Sequence, residues 1–161
     1  MKKTIFAAAL LAATALSGVA NAKTFVYCSE ASPEGFDPGM YTAGTTFDAS
    51  AHPIYNRLLE FKKGTTEVEP GLAESYEVSD DGLQYTFKLR PGVKFQDGEM
   101  LDAAAAKFSL ERHLNTKGSF RRPEISSIDS IDVVDPLTIK LNLKAPFAPL
   151  IAQLADRAGM M

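Results

Sequence analysis

Side chains able to act as nucleophiles, proton carriers or metal ligands are few and scattered in this chain: two histidines, His52 and His113, and one cysteine, Cys28, among 161 residues. His52 precedes a proline near the start of a helical pattern. His113 falls in the last turn of another, where the helix macrodipole favours a cation. Both read as structural. A hydrolase or transferase needs a nucleophile or a matched acid and base, and these residues do not supply one. Asp80 and Asp81 are neighbours in a turn, where side chains point apart and Asp is the ordinary turn residue. One cysteine and two separated histidines give no ligand spacing for zinc or another transition metal. Gly35, Gly39 and Gly44 do not match a phosphate-binding loop after a strand. The scarcity of chemistry points to a binding protein that uses no cofactor.

The candidate binding segment is the long irregular stretch that carries those glycines. Ser32-Pro33-Glu34-Gly35, Asp37-Pro38-Gly39 and Ala43-Gly44-Thr45-Thr46 place loop signals too densely for a regular element. Loops of this length inside compact domains are often functional.

The elements that must hold such a loop can be read from periodicity. Thr24-Phe25-Val26-Tyr27-Cys28 is apolar and β-prone, the pattern of a buried first strand. Ala51, Ile54, Tyr55, Leu58 and Leu59 fall at spacings of three and four, which predicts a helix from about Asp48 to Leu59 with Pro53 in its first turn. Glu67 to Pro70 reads as a connector. Leu72 to Val78 reads as a strand that pairs through Ser79-Asp80-Asp81-Gly82 with a second strand. In that second strand Leu83, Tyr85, Phe87 and Leu89 alternate with Gln84, Thr86 and Lys88. Pro91-Gly92 closes it. Asp102 can cap a helix whose stripe is Ala103, Ala106, Leu110 and Leu114, with Phe108 off the stripe and facing a second apolar side. Ile128 to Val134 and Leu137 to Leu143 form another hairpin around Asp135-Pro136. Phe147, Leu150, Ile151, Leu154 and Ala158 follow helical spacing and then stop at Gly159-Met160-Met161, which suggests a fragment of a longer chain. Two hairpins and three or more helices give an α+β organisation.

Residues 1–22 read as a secretory signal peptide: Lys2 and Lys3, an apolar run from Ile5 to Leu16, and the small-x-small site Ala20-Asn21-Ala22. Removing them leaves 15 basic against 20 acidic residues, a mildly acidic chain unsuited to nucleic acid. Arg121-Arg122 is the one basic pair with any focus and reads as a solvated loop. The remaining 139 residues are enough for one ordinary domain. Cys28 is solitary in a chain marked for export, where thiols tend to be paired. Either it is a small apolar residue buried in the first strand, or its partner lies outside these residues.

Gly71-Leu72-Ala73-Glu74-Ser75-Tyr76, then Ser79 to Phe95 with Asp97-Gly98, resembles the signature of bacterial extracellular solute-binding proteins of family 5, the receptors of peptide and nickel ABC importers. Ala103 to Arg112 and Val134 to Ile139 continue the match. The opening segment Thr24 to Phe61 is most similar to the dipeptide receptors of the family, and the part beyond about Asn115 is closer to glutathione-type members.

The resemblance implies a fragment of a two-lobed α/β periplasmic binding protein, of the type II or cluster C kind. Residues 23–53 would begin the large lobe, and residues 54–161 would form an accessory subdomain of hairpins and helices, incomplete at its C-terminal end. It implies a periplasmic, monomeric receptor that closes on a short peptide and delivers it to an ABC permease. Glutathione, nickel chelates, haem and oligopeptides are the alternative ligands within the family, and a small exported hydrolase or interaction domain is the alternative outside it. Thr42 matches a ligand-contacting threonine of the dipeptide receptors, with Ala43, Gly44 and Thr45 as pocket lining in the loop. Cys28 matches a cysteine that those receptors pair with one much further along the chain.

Overall fold

The structure, a computed structural model, describes residue 26, residues 28–51 and residues 53–161. The signal-peptide segment, Thr24, Phe25 and Tyr27 of the expected first strand, and His52 lie outside the described residues. Its centre is a four-stranded antiparallel sheet in the order β3 (Ala73–Val78), β4 (Gln84–Leu89), β6 (Thr138–Leu143), β5 (Ile128–Asp135). The two hairpins read from alternation are therefore one sheet, joined where β4 pairs with β6 and sets Tyr85 opposite Leu141 and Phe87 opposite Ile139. Tyr85, Phe87, Leu89, Ile139, Leu141 and Leu143 are buried on one face. Turn chemistry sets both registers. Gly82 takes φ +67°, a left-handed conformation that costs a glycine nothing, and Asp81 Oδ1 accepts from Leu83 N at 3.0 Å. Asp135 Oδ1 likewise accepts from Leu137 N at 2.8 Å.

Helix α2 (Ala103–Asn115) covers the buried face of the sheet. Asp102 caps it, its carboxylate accepting from Ala105 N at 2.8 Å. Ala103, Ala106 and Leu110 are fully buried as the stripe requires. Phe108 is 67% exposed, so the expected second apolar contact is not made by the described residues. The C-terminal stripe forms α3 (Leu150–Leu154) and a 3-10 turn at Arg157–Gly159. Leu150, Leu154 and Ala158 are buried against the rest of this chain.

The expected helix from Asp48 to Leu59 is displaced. Helix α1 is Gly44–Ser50, and Leu59–Phe61 is instead strand β1, paired with β2 (Val68–Pro70) where a connector was expected. Pro53 explains the early stop, because proline donates no N–H and disfavours helical backbone at the residue before it. Leu58 and Leu59 are both buried because the chain there is covered on two sides: Arg57 O accepts from Leu72 N at 2.8 Å, and Leu58 N donates to Gly159 O at 2.8 Å. At the other end, Val26 and Cys28 are exposed and lie in no strand, which removes the buried-strand reading of Cys28. Arg121 departs from its solvated reading too. It is 3% exposed and pairs with Glu124 Oε1 at 2.6 Å, while Arg122 stays exposed.

Candidate ligand-binding site

Thr42, Ala43, Gly44 and Thr45 were expected in a loop, yet the structure divides them: Thr42 and Ala43 are irregular, and Gly44 and Thr45 open α1. A short polar sequence ahead of Pro53 has enough room to wind one helical segment, which the density of loop signals concealed. Ala43 occupies the N-cap with φ −59° and ψ 138°, and its carbonyl accepts from Phe47 N at 3.1 Å. Among the described residues no side chain caps this end, and Thr42 and Gly44 are exposed. Thr46 is buried, its hydroxyl accepting from Glu34 N at 2.8 Å. The four residues thus present backbone and small polar groups at a surface, the equipment for hydrogen bonding a ligand rather than reacting with it.

The segment leading to them is pinned to the sheet-and-helix body by groups far away in sequence. Asp37 receives both Nη atoms of Arg112 on α2, a bidentate pair, and its Oδ1 also accepts from Gly39 N at 2.9 Å. The Arg112 hydrogen bonds hold the Asp37 carboxyl below its ordinary value, against an opposing push from burial. Phe120 N donates to Gly39 O at 2.8 Å. At the far end Arg157 Nη1 donates to the Thr42 carbonyl at 3.1 Å. None of these anchors could be recognised beforehand, since Asp37 reads only as turn chemistry and the residues that hold the segment have no local signature.

His113 lies beside this anchoring. It is 3% exposed and borders a cavity of about 220 Å³ together with Pro38, Tyr55, Ser109, Arg112 and Met160. Its Nε2 is 3.4 Å from the Met160 carbonyl, so the neutral ring carries its proton there and leaves Nδ1 without a partner among the described residues. Burial opposes the cation that the helix terminus favours: it lowers the imidazole pKa, with Arg112 and Arg121 pushing the same way and the Met160 bond and Asp37 opposing. Burial also raises the Tyr55 phenol. Below the ordinary histidine value of 6.5 the unfolded chain takes up a proton that the folded one resists. Stability therefore falls as pH drops below that value, with a slope of at most about 1.4 kcal/mol per pH unit from one group. Asp37 acts in a lower window, its contribution present above 3.8 and lost as pH falls further. Urea midpoints across about pH 7.5 to 5.5 measure the histidine slope, and His113→Asn flattens it. An unchanged slope would place the protonation elsewhere.

The structure thus sets an antiparallel sheet and its covering helix beside a polar segment that is tethered to them. Residues 67–161 match the family described as "Bacterial extracellular solute-binding proteins, family 5 Middle". The chain is 45% identical to the dipeptide-binding protein of Escherichia coli (strain K12), in an alignment that takes in 90% of this chain and 30% of that protein. It is 41% identical to heme-binding protein A of Haemophilus influenzae, across 81% of this chain and 27% of the other. Among solved structures, a periplasmic binding protein associated with an ABC transporter of Helicobacter pylori, in complex with the peptide STSA, superposes with a TM-score of 0.70 at 33% identity, covering 80% of this chain and 28% of that one. This chain belongs to the bacterial extracellular solute-binding proteins of family 5, whose members are solute-binding proteins rather than enzymes. It spans about 30% of the length of the relatives it matches, and its fold is part of a periplasmic binding protein.

Proposed function

We propose that this chain is part of the substrate-binding component of an ABC importer for dipeptides and other short peptides, a monomeric periplasmic receptor exported by the segment ending at Ala22. The observation that carries the reading is the 45% identity to a dipeptide-binding protein across 90% of this chain. In this reading residues 23–53 begin the large lobe and residues 54–161 form an accessory subdomain. Thr42, Ala43, Gly44 and Thr45 face the ligand, and Cys28 pairs with a cysteine beyond this sequence. Peptide binding closes the lobes, and the closed form docks on the permease. Haem is the second reading, favoured by the 41% identity to heme-binding protein A.

Ligand-induced stabilisation of the full-length mature protein tests the choice. A peptide present at 100 times its dissociation constant raises stability by about 2.7 kcal/mol. A panel of dipeptides, glutathione, a nickel chelate and haemin separates the readings, and stabilisation by none of the peptides sinks the peptide one.

A further inference from the structure

One guanidinium touches both flanks of the candidate ligand segment. Arg157 Nη1 donates to the carbonyl of Thr42, just before Ala43-Gly44-Thr45, and Arg157 Cζ lies 4.7 Å from the centre of the Phe47 ring, just after them. A planar guanidinium can donate in its plane while its face stacks on an aromatic ring, which an ammonium cannot do in the same pose. The backbone of Arg157 stands on the 3-10 turn whose Ala158 and Gly159 are buried, and the Asp156 carboxylate is 3.9 Å from its Nε, which has no hydrogen-bond partner among the described residues. Thr42 and Gly44 have no comparable burial to fix them. Beyond the Asp37 and Gly39 anchors and the first helical bond of α1, from Phe47 N to Ala43 O, this bracket and the hydrogen bond from Glu34 N to Thr46 hold the segment.

We propose that Arg157 is a positioning residue for ligand binding, setting the backbone of Thr42 to Thr45 before the ligand arrives. A segment ordered in advance does not have to be ordered at the moment of binding, so affinity rises without any contact between Arg157 and the ligand. The proposal rests on the reading of Thr42 to Thr45 as ligand-facing.

Full-length mature wild type, Arg157→Ala, Arg157→Lys and Phe47→Leu are compared by amide hydrogen exchange without ligand and by titration with alanyl-alanine. In Arg157→Ala the amides of Gly44 to Phe47 exchange about tenfold faster and dipeptide affinity falls about tenfold, while exchange in the central sheet is unchanged. Phe47→Leu, which keeps an apolar side chain but removes the stacking face, moves both readouts the same way by a smaller factor. Arg157→Lys stays closer to the alanine variant than to wild type. Exchange and affinity both within about twofold of wild type in Arg157→Ala would overturn the proposal, as would exchange accelerated across the whole sheet, since that marks a general structural role. Wild type that binds no peptide defeats the functional reading instead, and the ligand-free exchange then decides the role of Arg157 by itself.

Discussion

Truncating Phe87 to alanine lowers the unfolding free energy of the unit containing the central sheet by about 3–5 kcal/mol. Phe87 is fully buried on β4, the strand flanked by β3 on one side and β6 on the other. It sits opposite Ile139 across the β4–β6 pairing, and its ring lies 5.7 Å from that of Tyr76 across the β3–β4 pairing, tilted by 32°. Alanine removes the ring from a position paired on both sides, in the same buried cluster as Ala103, Ala106 and Leu110 of α2, and the strands on either side cannot collapse into the space without losing their ladders. Urea unfolding of the full-length protein, read through exchange of the β4 and β6 amides, measures the loss. Phe87→Leu costs less than about 1.5 kcal/mol, because most of the apolar volume is kept. Phe108→Ala, at a residue 67% exposed, changes stability by less than about 0.5 kcal/mol. Equal effects at Phe87 and Phe108 would refute this location of the core.

The contrast between those two phenylalanines marks what could be read in advance. Alternation from Leu83 to Leu89 and from Leu137 to Leu143 is a local consequence of one buried face, and the Asp and Gly turns that bound these strands act within a few residues. Such elements are legible because their cause is as short as the element. Leu58 and Leu59 misled because adjacent buried leucines arise when neighbouring strands cover both sides, and their spacing with Ile54 and Tyr55 imitated a helix. Strands β1 and β2 have three residues each, too short for a period of two to register. The candidate site was legible as a segment but not as a geometry. Asp37 meets Arg112 across 75 positions, and Thr42 meets Arg157 across 115, so neither anchor is visible in any window of sequence. His113 shows the same limit in electrostatics, because the macrodipole is a property of its own helix, whereas the burial that lowers its pKa is made by residues distant in sequence, Pro38 and Met160 among its neighbours.

Gly159→Ala, the smallest substitution possible at its site, lowers stability by about 3 kcal/mol, and more if α3 cannot shift. A Cβ at Gly159 would collide with the carbonyl oxygen of Leu154 and lie 2.6 Å from its carbonyl carbon and 2.9 Å from its Cα. These are backbone atoms of α3, fixed in turn by the burial of Leu150 and Leu154, so no rotamer change relieves the contact. Movement in the other direction is also opposed, since Gly159 O accepts from Leu58 N at 2.8 Å and Arg57 pairs with Met160 as an antiparallel bridge. Where the 3-10 turn is the side that yields, Arg157 moves with it and its hydrogen bond to Thr42 is lost. The variant should therefore show a lower urea midpoint and, in that case, faster exchange at Gly44 to Phe47 in the full-length protein. The same change at Gly44 provides the comparison. A Cβ there meets nothing within 4 Å, and alanine favours helix over glycine by up to about 1 kcal/mol, so Gly44→Ala leaves stability unchanged or raises it. Loss at Gly44 as large as at Gly159 would mean that glycine is required for backbone freedom at both positions, and that close approach to Leu154 is not the cause.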